Sequence, residues 1–213
     1  MATAQSRILF TEEEYLAIER SSPERHEYID GRIFAMAGET DEHGEVCVNI
    51  TGELRALLKG SPCRVRSQNT KVRSGPEPKA GQHPEGFYSY PDVLVVCGKR
   101  EFHDKFRDVL LNPNVIIEVL SKSTEAFDRG EKFIRYRTWL PTLTDYLLVS
   151  QTRPVIEHYC RQPTGEWLLT TIEGMDAILQ IASINCSLKL AEVYYGVAFP
   201  AEPAAINDSL PDQ

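Results

Sequence analysis

The sequence predicts a protein of the α/β (α+β) class, organised around two short strands that are buried on both faces. The runs 90–96 and 114–120 are apolar and rich in β-branched residues, and a proline stands beside the start of each. This composition is typical of strands covered on both sides. Helical periodicity over 42–59 precedes these strands, and helical periodicity over 125–140 follows them. Helices and strands therefore alternate along a chain of the right length for one domain, which we expect over 10–200.

Composition and charge restrict the classes of function. At 213 residues, with 42% hydrophobic and 25% charged residues, the chain has the make-up of an ordinary globular protein. A net charge of −8 argues against a broad nucleic-acid-binding surface and against attachment to anionic membranes, although a small basic cleft is compatible with it. There is no signal-peptide pattern and no apolar run approaching ~18 residues, so we expect a cytoplasmic protein without membrane spans.

The cysteines are odd in number, widely spaced and without a C-x-x-C pair; they are Cys47, Cys63, Cys97, Cys160 and Cys186. Several of them lie within apolar, strand-like runs. We interpret them as reduced packing residues, so the sequence predicts neither a zinc site nor a disulfide framework.

The predicted elements up to residue 60 are a loose start over 1–9, a helix over 11–20, a hairpin over 26–36 and a helix over 42–59. Thr11 and Glu14 form the capping box of the first helix, and Asp30-Gly31 is the turn signal of the hairpin. Regularly spaced apolar residues make one face of the second helix, and Gly60 ends it.

The rest of the chain is predicted from apolar runs and turn residues. The elements besides the two central strands are a strand over 63–73, a Gly/Pro-rich loop over 74–86, a helix over 125–140, a strand over 145–150, a hairpin joining 155–160 to 166–172, a weaker strand over 177–181, and a turn with a short helix over 188–197. We expect the long loop to be a lid or disordered, and 201–213 to be a disordered tail.

Each central strand carries one carboxylate, Asp92 at the start of the first and Glu118 inside the second. An ionised carboxylate costs several kcal/mol to bury without a partner, so both require a positive group nearby. One interpretation is a shared metal ion. The alternative is that Asp92 caps a turn while Glu118 pairs with an arginine.

The order helix, strand, strand, strand, helix, strand resembles the αβββαβ core of the PD-(D/E)XK nuclease superfamily. More closely, the chain resembles a restriction endonuclease family of this superfamily that is catalogued as a domain of unknown function. The resemblance spans roughly 10–197, and the stretches that carry it are Glu27 with Asp30-Gly31, His43, Pro91-Asp92-Val93, Glu118-Val119-Leu120-Ser121 with Thr124, and Asp128 with Lys132 and Tyr136. It implies a mixed central sheet flanked by helices, with an added N-terminal helix and hairpin and an added C-terminal β-hairpin.

The resemblance also implies an activity, the hydrolysis of DNA phosphodiester bonds with Mg²⁺ or Mn²⁺. The implied metal ligands are Asp92, Glu118 and the carbonyl of Val119, and oxygen ligands of this kind suit Mg²⁺. The superfamily keeps a lysine two positions after the glutamate, where this chain has Leu120. Lys122 and Lys132 are the nearest replacements, and the resemblance points to Lys132 as the migrated catalytic lysine.

Further candidates have a functional and an ordinary interpretation. Glu27 either reaches the metal or is a solvent-exposed glutamate of the hairpin. His43 either contacts a phosphate or is a surface residue at the start of a helix, without a function. Lys132 is catalytic or only pairs with Asp128 one turn earlier. Basic residues between the central strands contact DNA or belong to a solvated loop; they are Lys99, Arg100, Lys105 and Arg107.

Three functions remain open at this point. The first is a Mg²⁺-dependent DNA endonuclease, and the second is a catalytically inactive nuclease fold that serves as a DNA-binding or protein-interaction module. The third is a hydrolase of another phosphoester. We also expect a homodimer, because the C-terminal hairpin and the segment after it carry apolar residues beyond the minimal core, namely Ile156, Tyr159, Trp167, Leu168, Tyr194 and Tyr195.

Overall fold

The computed structural model describes residues 9–36, 38–79 and 84–200. Its elements in chain order are α1 (Glu12–Ser21), β1 (His26–Ile29), β2 (Arg32–Ala35), α2 (Asp41–Leu57), β3 (Cys63–Ser67), β4 (Lys71–Ser74), β5 (Phe87–Ser89), β6 (Val93–Cys97), β7 (Val109–Leu110), β8 (Val115–Leu120), α3 (Glu125–Phe127), a π-helical turn (Asp128–Lys132), α4 (Phe133–Trp139), β9 (Asp145–Ser150), β10 (Val155–Arg161), β11 (Trp167–Glu173), β12 (Ile178–Ile181), a 3-10 turn (Ala182–Ile184), β13 (Cys186–Lys189) and α5 (Leu190–Val193).

The central sheet has six strands in the order β11-β10-β9-β8-β6-β3. Only β8 and β9 run parallel; the other neighbours are antiparallel. With α2 before the sheet and the helical segment 125–139 crossing from β8 to β9, these strands form the αβββαβ core. The predicted mixed α/β fold class is confirmed.

Both faces of the central strands are covered, as their unbroken apolar sequences predict. Val93, Val95 and Ile117 face a core that includes α2 and the C-terminal elements β12, β13 and α5. Leu94 and Ile116 face the opposite core, which includes residues of α4. Since alternate residues of a strand share a face, Glu118 and Leu120 point towards that second core, beneath the helical segment 125–139.

The region 63–73 is not one strand, which corrects the sequence interpretation. The chain turns after Ser67, where the amide of Thr70 donates to the Ser67 carbonyl over 3.1 Å. β4 then joins a second sheet of five strands in the order β2-β1-β5-β4-β7. The polar run Ser67-Gln68-Asn69-Thr70 is the local cause, because these residues favour a turn.

The cysteine interpretation is wrong for one pair. Cys63 and Cys97 stand opposite each other in the antiparallel β3–β6 ladder and form a disulfide. Their sequence separation of 34 gave no indication of this register. Cys47 and Cys186 are free and buried, as packing residues should be.

The C-terminal region contains one more strand than predicted. Residues 186–189 form β13, which pairs with β12 before the short helix α5 begins. Of the apolar residues expected at a dimer surface, Ile156 and Tyr194 are instead buried in the core, whereas Leu168 is 56% and Tyr195 72% exposed.

Several predicted features fall on residues that the structure does not describe. They are residues 1–8 of the expected loose start, residues 80–83 of the expected loop, and the tail 201–213. Within the described residues, the helices are too short or too polar to cross a lipid bilayer.

Candidate active site

A cleft of about 1300 Å³ opens where the ends of β6 and β8 meet the start of α2 and the π-helical turn. All of the site residues predicted from the sequence line it, and so does Asp128; they are Glu27, His43, Asp92, Glu118, Val119 and Lys132. The site is therefore assembled from elements that are up to about a hundred residues apart in the chain.

Asp92 is fixed by the end of a β-ladder. The pairing of β6 with β8 stops at Val93 opposite Ile117. One residue earlier, the side chain of Asp92 replaces the backbone as the hydrogen-bond acceptor: its Oδ2 accepts the amide N–H of Val119 at 2.8 Å. This contact satisfies a backbone donor that the ladder leaves unpaired, and it ties the carboxylate of Asp92 to the strand that carries Glu118.

Glu118 lies in a buried cluster with the lysine of the following helical segment. Nζ of Lys132 is 3.0 Å from Oε2 of Glu118 and 3.1 Å from Oδ1 of Asp128. Glu118, Asp128 and Lys132 are 2%, 3% and 6% exposed. Lys132 thus contacts both Glu118 and Asp128, and the partner of Glu118 is a lysine, not the arginine that the alternative required.

Burial dominates the electrostatics of this cluster. It raises the pKa of Glu118 well above its usual range, and the carboxylates of Asp128 and Asp92 raise it further while Lys132 opposes them. Burial alone would lower the pKa of Lys132, but Glu118 and the other surrounding acidic groups outweigh it and raise this pKa. Lys132 is therefore an ammonium ion at neutral pH.

The π-helical turn Asp128–Lys132 was not predictable from the periodicity of 125–140. Such turns are rare and occur frequently at functional sites. Here both ends of the turn, Asp128 and Lys132, point inwards. The turn is also held from below, because the hydroxyl of Tyr146 in β9 donates to the Asp128 carbonyl at 2.8 Å.

His43 lies in the first turn of α2, which Thr40 caps. Its Nε2 is 3.3 Å from Oδ2 of Asp92, and its Nδ1 is 3.2 Å from Oε2 of Glu39. Burial lowers the pKa of His43, but hydrogen bonds with Asp92 and Cys47 outweigh this and raise the pKa to about 11. His43 is therefore a cation beside Asp92.

Glu27 in β1 completes the acidic wall of the cleft, and it is half-buried there. Burial raises its pKa, against the opposing effect of Lys132, and the carboxylates of Asp128 and Asp92 raise it further. Glu27 is thus close enough to the other acidic groups to interact with them electrostatically.

The charges and donor atoms of the cleft suit a divalent cation. Four carboxylates, those of Glu27, Asp92, Glu118 and Asp128, face the two cations His43 and Lys132. With all of these groups ionised, two negative charges remain unbalanced. The donors are carboxylate oxygens, which Mg²⁺ and Mn²⁺ prefer.

In each of Asp92 and Glu118, one carboxylate oxygen carries the short contacts and the other is left as a candidate metal ligand. Oδ2 of Asp92 is occupied by Val119 and His43, which leaves Oδ1. Oε2 of Glu118 faces Lys132, whereas the contact of Oε1 within the described part of the chain is a long one, 3.5 Å to the Tyr136 hydroxyl. The residues present therefore fit a metal between the two strand ends.

Lys122, the other candidate for the missing lysine, lines the cleft but is exposed. Leu120 is 6% exposed and packs in the core together with Ile116 and Phe133. The position at which the superfamily keeps its lysine is therefore apolar here.

The αβββαβ core, with carboxylates at the ends of two adjacent strands, defines the restriction-endonuclease-like fold class. Comparison with known proteins agrees. The chain belongs to the Uma2 family, described as "Putative restriction endonuclease", whose model matches residues 12–191.

Two relatives come from Synechocystis sp. (strain ATCC 27184 / PCC 6803 / Kazusa), and both are named as uncharacterized proteins. The protein slr1290 is 36% identical over 187 residues, which cover 88% of this chain and 92% of the relative. The protein sll1609 is 32% identical over 182 residues, which cover 85% of this chain and 97% of the relative.

A similar solved structure is that of "a putative nuclease belonging to DUF820" from Anabaena variabilis ATCC 29413. It has a TM-score of 0.66 and 15% sequence identity, and the match covers 87% of this chain and 97% of that chain. At this identity the likeness establishes the fold alone.

Proposed function

We propose that this protein is a Mg²⁺- or Mn²⁺-dependent endonuclease that hydrolyses DNA phosphodiester bonds. The observation that carries the proposal is the position of the Lys132 ammonium, 3.0 Å from Glu118 in β8. A second carboxylate, that of Asp92, is hydrogen-bonded to the same strand through the amide of Val119. The ammonium reaches Glu118 from the helical segment and so takes the place that Leu120 leaves without charge. Membership of a restriction-endonuclease-like family supports the same conclusion.

The roles follow from the contacts. Asp92 and Glu118 would hold the ion, together with the carbonyl of Val119. When bound, the ion supplies Lewis-acid activation of the phosphate and of a water molecule. Lys132 orients the attacking water or neutralises charge on the phosphate oxygens, since its three N–H donors are not restricted to one plane.

Glu27 and His43 support this arrangement. Glu27 adds a further carboxylate to the wall of the cleft. His43 positions Asp92 through Nε2 and, as a cation, attracts the DNA phosphate.

Metal titration tests the ligand assignment. By calorimetry, the wild-type protein should bind Mn²⁺, and Asp92→Asn or Glu118→Gln should abolish binding while circular dichroism stays unchanged. Glu42→Gln is a matched control, because Glu42 also lines the cleft and, in the part of the chain that the structure describes, forms no hydrogen bond or ion pair with Asp92, Glu118 or Val119. Unchanged titration of both Asp92→Asn and Glu118→Gln would refute the assignment.

Cleavage of supercoiled plasmid DNA separates the proposed function from the others. The endonuclease should convert the plasmid to nicked or linear forms only with Mg²⁺ or Mn²⁺. One observation favours the inactive module: the position at which the superfamily keeps its lysine holds the apolar Leu120, which lies in the hydrophobic core. DNA binding without cleavage would select that module, and hydrolysis of another phosphoester alone would select the third function.

We also propose a homodimer that pairs through β11. This strand is the outer edge of the central sheet, opposite the β3 edge. Such an edge carries unpaired backbone groups, and Leu168 and Leu169 on it are 56% and 46% exposed. Light scattering should give a dimer at micromolar concentration, and Leu168→Lys should yield a monomer. A monomeric wild type would rule the dimer out.

A further inference from the structure

A second and smaller cavity, of about 180 Å³, lies outside the cleft. Its lining combines three arginines with two polar residues, an aromatic ring and one carboxylate; the residues are Arg66, Asn69, Thr70, Arg100, Phe102, Arg107 and Asp108. We call it the arginine pocket. Its lining residues lie in β3, in the turn after β3 and in the segment between β6 and β7.

The arginines of this pocket are not balanced by acidic partners. Across 9–36, 38–79 and 84–200, neither Arg66, Arg100 nor Arg107 takes part in an ion pair. The one carboxylate of the pocket, that of Asp108, is already occupied. Arg20 approaches it to 2.8 Å and Lys71 to 3.1 Å. The pocket is therefore strongly positive, although the chain as a whole carries a net charge of −8.

Two of the arginines, Arg66 and Arg100, are also close enough to repel each other. Burial lowers the pKa of Arg66, and the charge of Arg100 lowers it further. Like charges held together without counterions are unfavourable in the free protein, and an anion bound between them relieves this repulsion.

Part of the pocket is preorganised. The guanidinium carbon of Arg107 lies 4.7 Å from the ring centroid of Phe102, and that of Arg100 lies 6.0 Å from it. Arg107 has a φ of 58°, a left-handed conformation that is uncommon for a residue with a Cβ. Its amide donates to the Asp104 carbonyl at 3.2 Å, which holds this turn.

The arginine pocket and the cleft are neighbours. Gln68 lines the cleft, whereas Asn69 and Thr70, the next two residues of the same turn, line the arginine pocket. Consecutive Cα atoms are only about 3.8 Å apart. A nucleic-acid strand carries one phosphate per about 3.4 Å of helix axis, so a strand that extends from the cleft across this turn would present a further phosphate to the pocket.

We infer that Arg66, Arg100 and Arg107 form a subsite for a backbone phosphate of the DNA strand that occupies the cleft. This inference rests on the proposed function. Guanidinium groups match phosphate oxygens with paired N–H donors, so three of them around a small cavity suit a phosphate group. The pocket thereby supplies the local positive charge that an acidic protein needs to bind DNA.

The test measures DNA affinity as a function of salt. A fluorescein-labelled duplex is titrated with protein in Ca²⁺, with anisotropy as the readout, for the wild type and for Arg66→Gln/Arg107→Gln. The matched control is Arg55→Gln/Lys59→Gln, which removes one exposed charge in the last turn of α2 and one just after this helix ends. Residue 55 is 12 positions along from His43, about 18 Å at the helical rise.

The expected result is specific to the pocket. Loss of one phosphate contact lowers the slope of log affinity against log salt by about 0.9, which is about eightfold in affinity between 1 M and 0.1 M salt. The pocket variant should show this loss, whereas the control variant keeps the wild-type slope. Equal slopes for the pocket variant and the wild type, or equal losses in pocket and control variants, overturn the inference.

A second measurement separates failure of the pocket from failure of the proposed function. If the wild type binds no DNA, inorganic phosphate is titrated by calorimetry. Phosphate binding that is lost in Arg66→Gln/Arg107→Gln but kept in the control supports a phosphate pocket even though the nuclease proposal fails. If the wild type binds neither DNA nor inorganic phosphate, the phosphate pocket and the nuclease proposal are both overturned.

Discussion

Replacement of Lys132 by Met is the most informative single change, because it acts on stability and on activity through one ammonium group. Its helical setting alone suggests that Met should leave folding nearly unchanged. Its burial changes that expectation. Lys132 is 6% exposed and lies between Glu118 and Asp128, which are 2% and 3% exposed. Removing one partner of a buried ion pair typically costs about 3–5 kcal/mol, because the remaining charge is left uncompensated.

The cost should depend on pH, and its sign follows from Glu118. Burial raises the pKa of this carboxyl in the folded protein, while Lys132 lowers it. Without Lys132 the folded-state pKa rises further. A group whose pKa is raised on folding stabilises the protein below its unfolded pKa, near 4.5, and this stabilisation is lost as the pH rises towards the folded pKa.

The folded-state pKa of Glu118 is raised in the wild type and higher still in Lys132→Met, so the stability of Lys132→Met should fall further below that of the wild type as the pH rises. The upper limit of the slope is about 1.4 kcal/mol per pH unit for one proton. Urea unfolding of metal-free protein at pH 5, 6, 7 and 8 measures this difference. Lys122→Met is the control, since Lys122 is exposed and should change stability by less than about 0.5 kcal/mol. A stability difference that stays flat from pH 5 to pH 8 would refute the reasoning.

The activity arm uses the same variant. Mg²⁺-dependent DNA cleavage should fall by orders of magnitude in Lys132→Met, while Mn²⁺ binding survives because the carboxylates are intact. Leu120→Lys/Lys132→Met should recover part of the activity, because residue 120 shares a face of β8 with Glu118 and lies about 6.6 Å along it. If the double variant is stably folded but no more active than Lys132→Met, an ammonium beside Glu118 is not sufficient.

Three further predictions concern other parts of the molecule. Reduction of the Cys63–Cys97 disulfide, which spans 34 residues, should lower the free energy of unfolding by about 4 kcal/mol, and urea unfolding with and without reductant measures it. Glu12→Gln should destabilise the protein by about 3–5 kcal/mol, since buried Glu12 accepts from Nε of Arg73 at 2.8 Å; unfolding indistinguishable from wild type would show that this pair contributes nothing. The raised pKa of His43, about 11, stabilises the metal-free protein below pH 6.5 and this contribution is lost as the pH rises towards 11. His43→Asn should flatten the stability profile over that range, and an unchanged profile would contradict it.

The sequence predicts the central strands well and the second sheet poorly, for a physical reason. A strand buried on both faces, such as β8 or β9, is a continuous apolar run and needs no other information. β4 and β5 are short, and what makes them strands is pairing with each other and with β1. The Cys63–Cys97 disulfide has the same origin, because it depends on the register of two strands rather than on spacing.

The same distinction applies to the candidate site. Asp92 and Glu118 were recognisable because a carboxylate in a buried strand is costly and therefore conspicuous. The π-helical turn that aims Lys132 and Asp128 inwards has no sequence signal of its own, since a π turn and an α turn share the same residue preferences over so few positions. Asp128 was identified only as a partner for Lys132, and its burial beside Glu118 came from the tertiary structure.

Exchange of a strand lysine for a helix lysine is physically reasonable in this fold. The proposed chemistry requires an ammonium at a particular point near Glu118, and it does not specify which backbone supplies it. On β8, residue 120 faces the core under the helical segment 125–139, so a leucine there packs against Phe133 while a lysine there would bury a charge among apolar neighbours. The helical segment packs over this face of β8 and directs Lys132 towards Glu118. There the ammonium lies between Glu118 and Asp128, whose carboxylates compensate its charge. The apolar Leu120 and the buried Lys132 are therefore two parts of one solution, in which the strand position contributes packing and the helix position contributes charge.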